Sequence, residues 1–221
     1  MCGRFTLQTP EEKIRQTFHL MATRQLGLSP RYNIAPSEEI PIIRNTDSFP
    51  DLHLAKWGLV PHWSKEPATR YSTINARIET VADKPAYRSA FKHRRCLIPA
   101  DGFFEWKRVN NHKIPHYVRM QNHHLFAFAG IWDRWEGNGQ VLDSCSIIVM
   151  PANSVMKPLH ERMPAIIAPA HYDLWLDARI TEKDEIMGML NAAPASQLIF
   201  YPVSQWVNTP ANDDPRCIQA V

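Results

Sequence analysis

Residues 95–109 read RCLIPADGFFEWKRV. Two largely apolar runs flank Asp101-Gly102, and the pattern predicts a β-hairpin of strand, tight turn and strand. In the second run Glu105 stands between Phe104 and Trp106, two residues from Phe103. A carboxyl wedged among aromatic rings loses hydration, which favours its neutral form. That suits a group that hands a proton to a departing oxygen near neutral pH. Alternation along an edge strand would instead turn the same carboxylate to water, and the segment alone leaves both readings open.

Outward from this stretch, residues 84–94 read as a basic helix. Residues 72–80, STINARIET, read as a half-buried strand in which Ile74, Ala76 and Ile78 alternate with Thr73, Asn75, Arg77 and Glu79. Residues 39–44 and 52–60 also look extended. Thr9-Pro10-Glu11-Glu12 predicts a helix start, with proline at the first helical position and a T-x-x-E capping box; Ile14 and Phe18 follow on one face. Toward the C-terminus, strands are expected over 114–120, 125–131, 144–150 and 197–203. Short helices fit 153–157, 169–176 and 182–191, the last capped by Thr181. Gly137 and Gly139 mark a hairpin turn whose spacing is no phosphate-binding fingerprint. The 18 prolines favour many short segments over long helices. Strands outnumber helices and alternate irregularly with them, so the expected fold is a single α+β domain with a mostly antiparallel, curled sheet.

The 221 residues are 44% apolar, ample for a packed core, and the net charge of +3 permits a nucleic-acid surface without requiring one. Cys2, Cys96, Cys145 and Cys217 lie far apart. There is no C-x-x-C, and His160-Glu161 lacks the second histidine of H-E-x-x-H, so neither metal nor cofactor is expected. No secretory segment and no apolar run of membrane-spanning length is present, which predicts reduced thiols and a cytoplasmic protein without membrane contact.

The second residue is the other focus. If Met1 is removed, Cys2 carries a thiol and a primary amine on adjacent carbons. The α-amine titrates near ~7.7–8.0 and an ordinary thiol near ~8.5, so both are partly nucleophilic at neutral pH. Such a 1,2-aminothiol captures an aldehyde as an imine, which the thiol closes into a thiazolidine. Arg4 would set positive charge beside the thiol and favour thiolate. Asn75 and Arg77 share a polar strand face that can hold a sugar oxygen and a phosphate, although such faces are more often simply solvated. His160 lies in KPLHERMP, a proline-bounded loop, with Arg162 two residues on. Trp106, Trp57 and Trp63 could stack unpaired bases, with Trp57 expected in the core. The run Arg88–Arg95 reads as a solvated helix face.

Together MCGRF at the start, WGLVPHW at 57–63, NARIET at 75–80, RCLIPADGFFEW at 95–106, FAGIW at 128–132 and HERMP at 160–164 resemble the SRAP (SOS-response-associated peptidase) family. The resemblance spans nearly the whole chain, in order. It implies a curled, barrel-like β-core flanked by short helices, a positively charged DNA cleft, and one domain over residues 2–221. It also implies abasic sites in single-stranded DNA as the partner, captured covalently by a monomer associated with the nucleoid when bound. Carried over, Cys2 is the nucleophile, Glu105 the proton donor, Asn75 a sensor of the lesion and His160 a group that stabilises it. Arg4, Arg77 and Arg162 become candidate phosphate contacts and Trp106 a stacking surface. Two rivals remain: an N-terminal-nucleophile cysteine peptidase using Cys2, His160 and Glu105, and a non-covalent single-strand binding module.

Overall fold

The segment 95–109 does form two strands, but they belong to different sheets. The computed structural model describes residues 2–21, 24–46, 49–69, 72–110, 112–190 and 197–221. In it β6 (Arg95–Ala100) pairs with β3 (Glu39–Thr46) and β9 (Phe126–Gly137), whereas β7 (Gly102–Val109) pairs with β1 (Phe5–Leu7) and β8 (His112–Met120). Asp101 is therefore a crossing point between sheets and not a hairpin turn. Its main-chain N–H donates to the Thr6 carbonyl, and its carboxylate accepts from the N–H groups of Gln8 (2.6 Å) and Thr9 (2.9 Å). Gly102 is needed for close approach: a Cβ there would meet the Tyr117 hydroxyl and lie 2.6 Å from the Val118 carbonyl oxygen.

One sheet closes on itself. β10 (Gln140–Pro151) pairs in parallel with β4 (Phe49–Trp57), and antiparallel pairing then runs through β3, β6 and β9 back to β10, a five-stranded barrel. The long β9–β10 hairpin turns at Asn138-Gly139, both at positive φ, as a two-residue primed turn requires. The short strands β5 (Asn75–Arg77) and β11 (Arg162–Pro164) join β10, and β12 (Ile166–Ile167) joins β9. The second sheet runs in the order β13 (Leu198–Pro202), β8, β7, β1 and β2 (Arg31–Ile34). Short helices α1 (Glu11–Thr17), α2 (Arg88–His93), α3 (Tyr172–Leu176) and α4 (Lys183–Met189) complete the fold.

Aromatic side chains join the sheets. Phe5 of β1 meets Trp57 edge-on at 5.3 Å and Phe128 at 5.9 Å, and Phe103 of β7 meets Phe128 at 5.8 Å. Each fully buried Phe contributes about 1.5–3 kcal/mol by burial, and edge-to-face pairing about 0.5–1.5 kcal/mol more. This cluster fixes residues 5 and 103, and with them the adjoining Cys2 and Glu105.

The α+β, mostly antiparallel expectation holds, while several local expectations do not. The Thr9 hydroxyl donates to Asp101 (2.5 Å), so the capping box is not made and Pro10 caps α1 without a side-chain bond. The helix expected over 84–94 begins only at Arg88. Arg95 is no part of a solvated face: its buried guanidinium donates to the carbonyls of Phe91, Lys92, Trp175, Asp177 and Ile180. Residues 154–159 are turns seeded by Asn153, whose Oδ1 accepts from the N–H groups of Val155 and Met156. Thr181 does not cap α4, which follows Glu182. The strand expected over 72–80 pairs only at 75–77, then turns as Thr80 donates to the Arg77 carbonyl.

Candidate functional site

The strand that carries Glu105 also lays the N-terminus beside it. Phe5 is paired with Phe103 and Thr6 with Gly102, and the Phe104 N–H donates to the Arg4 carbonyl at 3.0 Å. Antiparallel pairing thus continues toward residue 2 along β7. Because β7 lies between β8 and β1, Glu105 is not at an edge, and it is only 2% exposed. Burial pushes its carboxyl above the ordinary range. Cys2 is fully buried. Burial first, and then the negative charge of Glu105, push its thiol well up. The expectation that Arg4 favours a thiolate fails, because the Arg4 guanidinium is turned to Asn33 Oδ1 (2.7 Å) and the Val207 carbonyl (2.9 Å).

Asn75 reaches the same place from the barrel. β5 runs parallel to β10, with Asn75 opposite Ile147, and Asn75 Nδ2 donates to the Cys2 carbonyl at 2.8 Å. Its Oδ1 is buried and has no partner among the described residues. Arg77, two residues on, is exposed. His160 follows the 154–159 turns, just before β11. The Arg162 N–H donates to His160 Nδ1 at 2.9 Å, so in the neutral ring Nε2 keeps the proton and serves as a donor. Burial lowers its pKa, which favours the neutral ring. The Arg162 guanidinium lies 2.5 Å from Glu79.

An open cleft of about 770 Å³ exposes part of this group: Glu105, Trp106 and His160 line it together with Arg108, Lys113 and Asn208. The structure therefore joins Cys2 with Asn75 and Glu105, and Glu105 with His160 and Trp106. It leaves Arg77 exposed, outside the residues that line the cleft, and engages Arg4 and Arg162 with protein partners. Trp57 is core, as expected, its indole N–H donating to the Ile74 carbonyl, and Trp63 is exposed. Arg108, Lys113 and Asn208 were missed. Arg108 stands directly opposite Lys113 across β7 and β8, a like-charge pair that is unfavourable unless an anion lies between. Correct hairpin register would have revealed that pair. Asn208 carries no local signal; its Oδ1 accepts from the Trp106 indole N–H at 2.8 Å.

Chemically, the site offers a carboxyl biased toward its acid form, a protonated thiol, an imidazole N–H and an amide acceptor, beside a cleft that Arg108 and Lys113 line along with the carboxylates Glu105 and Glu161. The chain matches the family description SOS response associated peptidase (SRAP) over residues 1–210. It is similar to the abasic site processing proteins YoaM and YoqW of Bacillus subtilis. With YoaM it is 40% identical, over 100% of this chain and 98% of the relative; with YoqW it is 38% identical over the full length of both. It also resembles the crystal structure of a protein from Bacteroides thetaiotaomicron, with a TM-score of 0.90 at 27% identity and full coverage of both chains.

Proposed function

Since the chain belongs to the SRAP family, we propose that it processes abasic sites in DNA by capturing the lesion aldehyde covalently on Cys2. The observation that carries this is the convergence of Cys2, Asn75 and Glu105: a fully buried cysteine, one residue from the start, with an amide on its carbonyl and a charge-averse carboxyl beside it.

An abasic deoxyribose is mostly a closed hemiacetal. Protonated Glu105 gives its proton to the ring oxygen as the C1′–O bond breaks, and the C1′ hydroxyl passes its proton to solvent water to leave an aldehyde. The His160 Nε2–H and the unpartnered Asn75 Oδ1 hold the opened sugar's oxygens and hydroxyls. With Met1 removed, the Cys2 amine adds to C1′ and water departs, leaving an imine. The thiol sulfur then bonds to C1′ while its proton passes to the nitrogen, closing a thiazolidine. A protonated thiol is what this last step consumes, so the raised thiol pKa is compatible with it. The closed ring also removes the imine that would otherwise lead to β-elimination and strand cleavage. Holding amine, thiol and aldehyde together offsets up to about 7–11 kcal/mol of barrier.

Single-stranded DNA is the proposed substrate, because a duplex partner would obstruct a sugar drawn toward a buried cysteine. The basic side chains at the cleft would take phosphates, and Trp106 an unpaired base. The test is a denaturing gel of the protein with single-stranded oligonucleotides that carry an abasic site or an intact base. A heat-stable band that requires both the lesion and Cys2 supports the proposal; its absence from a protein lacking Met1 refutes it. The family's name includes a peptidase, and Cys2 with His160 and Glu105 suits limited self-removal of Met1. Intact-mass analysis of Glu105→Gln and His160→Ala tests that step.

A further inference from the structure

Asn208 brings the C-terminal segment to the cleft, and a set of bonds connects that segment to the strand of Cys2. Asn33 of β2 is fully buried. Its Nδ2 donates to the carbonyls of Val207 (3.1 Å), Thr209 (3.1 Å) and Asn212 (2.7 Å), while its Oδ1 accepts from Arg4. Only carbonyls face one end of the amide and a guanidinium the other, so its orientation is unambiguous. Arg4 bonds the Val207 carbonyl as well, and Asp213 accepts from the N–H groups of Tyr32 and Asn33. Val207 is buried with Phe104, Tyr117, Val203 and Cys217 on the outer face of the second sheet, and Trp106 packs against that cluster. Asn208, exposed, follows directly and holds the Trp106 indole N–H.

We propose that Asn208 is a positioning residue for DNA: it holds the Trp106 ring in the pose that meets an unpaired base, and Asn33 and Arg4 set Asn208 in register with Cys2. This rests on the DNA-capture function proposed above. The Trp106 ring is half-buried, and its contact with Phe104 is tilted at 6.4 Å. Apolar packing fixes one side of the ring, and the Asn208 bond fixes its rotation. Without that bond the ring must be ordered at each binding event, which weakens binding without altering the chemistry at Cys2. Arg4, two residues from the nucleophile, then acts as a strut between nucleophile and stacking surface.

A double-mutant cycle of Trp106→Phe and Asn208→Ala tests this, because phenylalanine keeps a ring but has no N–H to hold. Crosslink formation on an abasic single strand and fluorescence anisotropy on an intact single strand are measured for all four proteins. The expected result for Asn208→Ala is an about three- to tenfold higher half-saturating DNA concentration, the scale of leaving one large side chain unordered, with an unchanged maximal rate. In the Trp106→Phe background the same substitution has no further effect. An unchanged Asn208→Ala protein, an equal effect in both backgrounds, or a loss confined to the maximal rate overturns the proposal. If no protein crosslinks, the capture function falls, and the anisotropy cycle still decides the coupling between Asn208 and Trp106.

Discussion

Cys2 and Cys145 are equally and fully buried, yet they sit in regions of opposite character. Cys145 lies in the barrel wall, opposite Trp132 on β9 and Trp57 on β4, and burial alone pushes its thiol up. Cys2 lies where the second sheet meets the barrel, with Asn75 on its carbonyl and the charge of Glu105 adding to the burial effect. Burial pushes both thiols up, and exposure does not separate them. Their polar neighbours do, together with the amine that only a cysteine at residue 2 can acquire.

The largest expected effect breaks the comparison directly. Cys2→Ala should abolish the heat-stable adduct, whereas Cys145→Ala should leave it intact; equal retention by both variants would remove Cys2 from the mechanism. Next is Glu105→Gln, which should slow adduct formation by at least about 10²-fold, the usual range for losing a general acid. In the wild type the rate should fall as pH rises through the raised Glu105 pKa, and stopped-time gels across pH should show that limb missing in the variant.

Stability should move the other way. A carboxyl whose folded pKa is raised stabilises fully below its unfolded value near ~4.3, and that contribution is lost as pH rises through the folded pKa. Glu105→Gln should therefore melt above the wild type at pH 8, with the difference closing below about pH 4. Thermal melts at both pH values decide this. In the barrel, Cys145→Ala should cost about 1 kcal/mol, a shift of about 2–4 °C in Tm, with activity kept. The smallest effect concerns the flanking charges. Arg77→Ala should reduce the logarithmic salt slope of single-strand binding by about 0.7. Arg162, already engaged with Glu79, should change it less on substitution to alanine.

Much of the site was legible because its groups lie in short segments of unusual composition. A cysteine at residue 2 and a carboxyl inside FFEW were visible as candidates, although the segment around Glu105 left a solvated reading equally open. Asn75 stood out on the polar face of an alternating strand, and His160 in a separate proline-bounded loop. The crossing at Asp101 was not legible, because Asp-Gly marks a hairpin turn when φ is positive, and here it serves carboxylate capping and a close approach to Tyr117. That same carboxylate takes the Thr9 hydroxyl, so one long-range contact undid two local expectations. Arg4 read as a free cation because nothing nearby in sequence signals Asn33 or Val207, which lie 29 and 203 residues away. Arg95 likewise read as solvated, since carbonyls from Trp175, Asp177 and Ile180 reach it only through the fold.

The central claim is that the bond to DNA runs through the amine and thiol of Cys2 as a closed ring. Intact mass spectrometry of the protein incubated with an abasic oligonucleotide, without any reductant, tests it most directly. The account predicts an adduct equal to the protein lacking Met1 plus the oligonucleotide minus one water, with fragmentation placing it at Cys2. An adduct that survives only after borohydride reduction, or one that maps to a lysine, would contradict it.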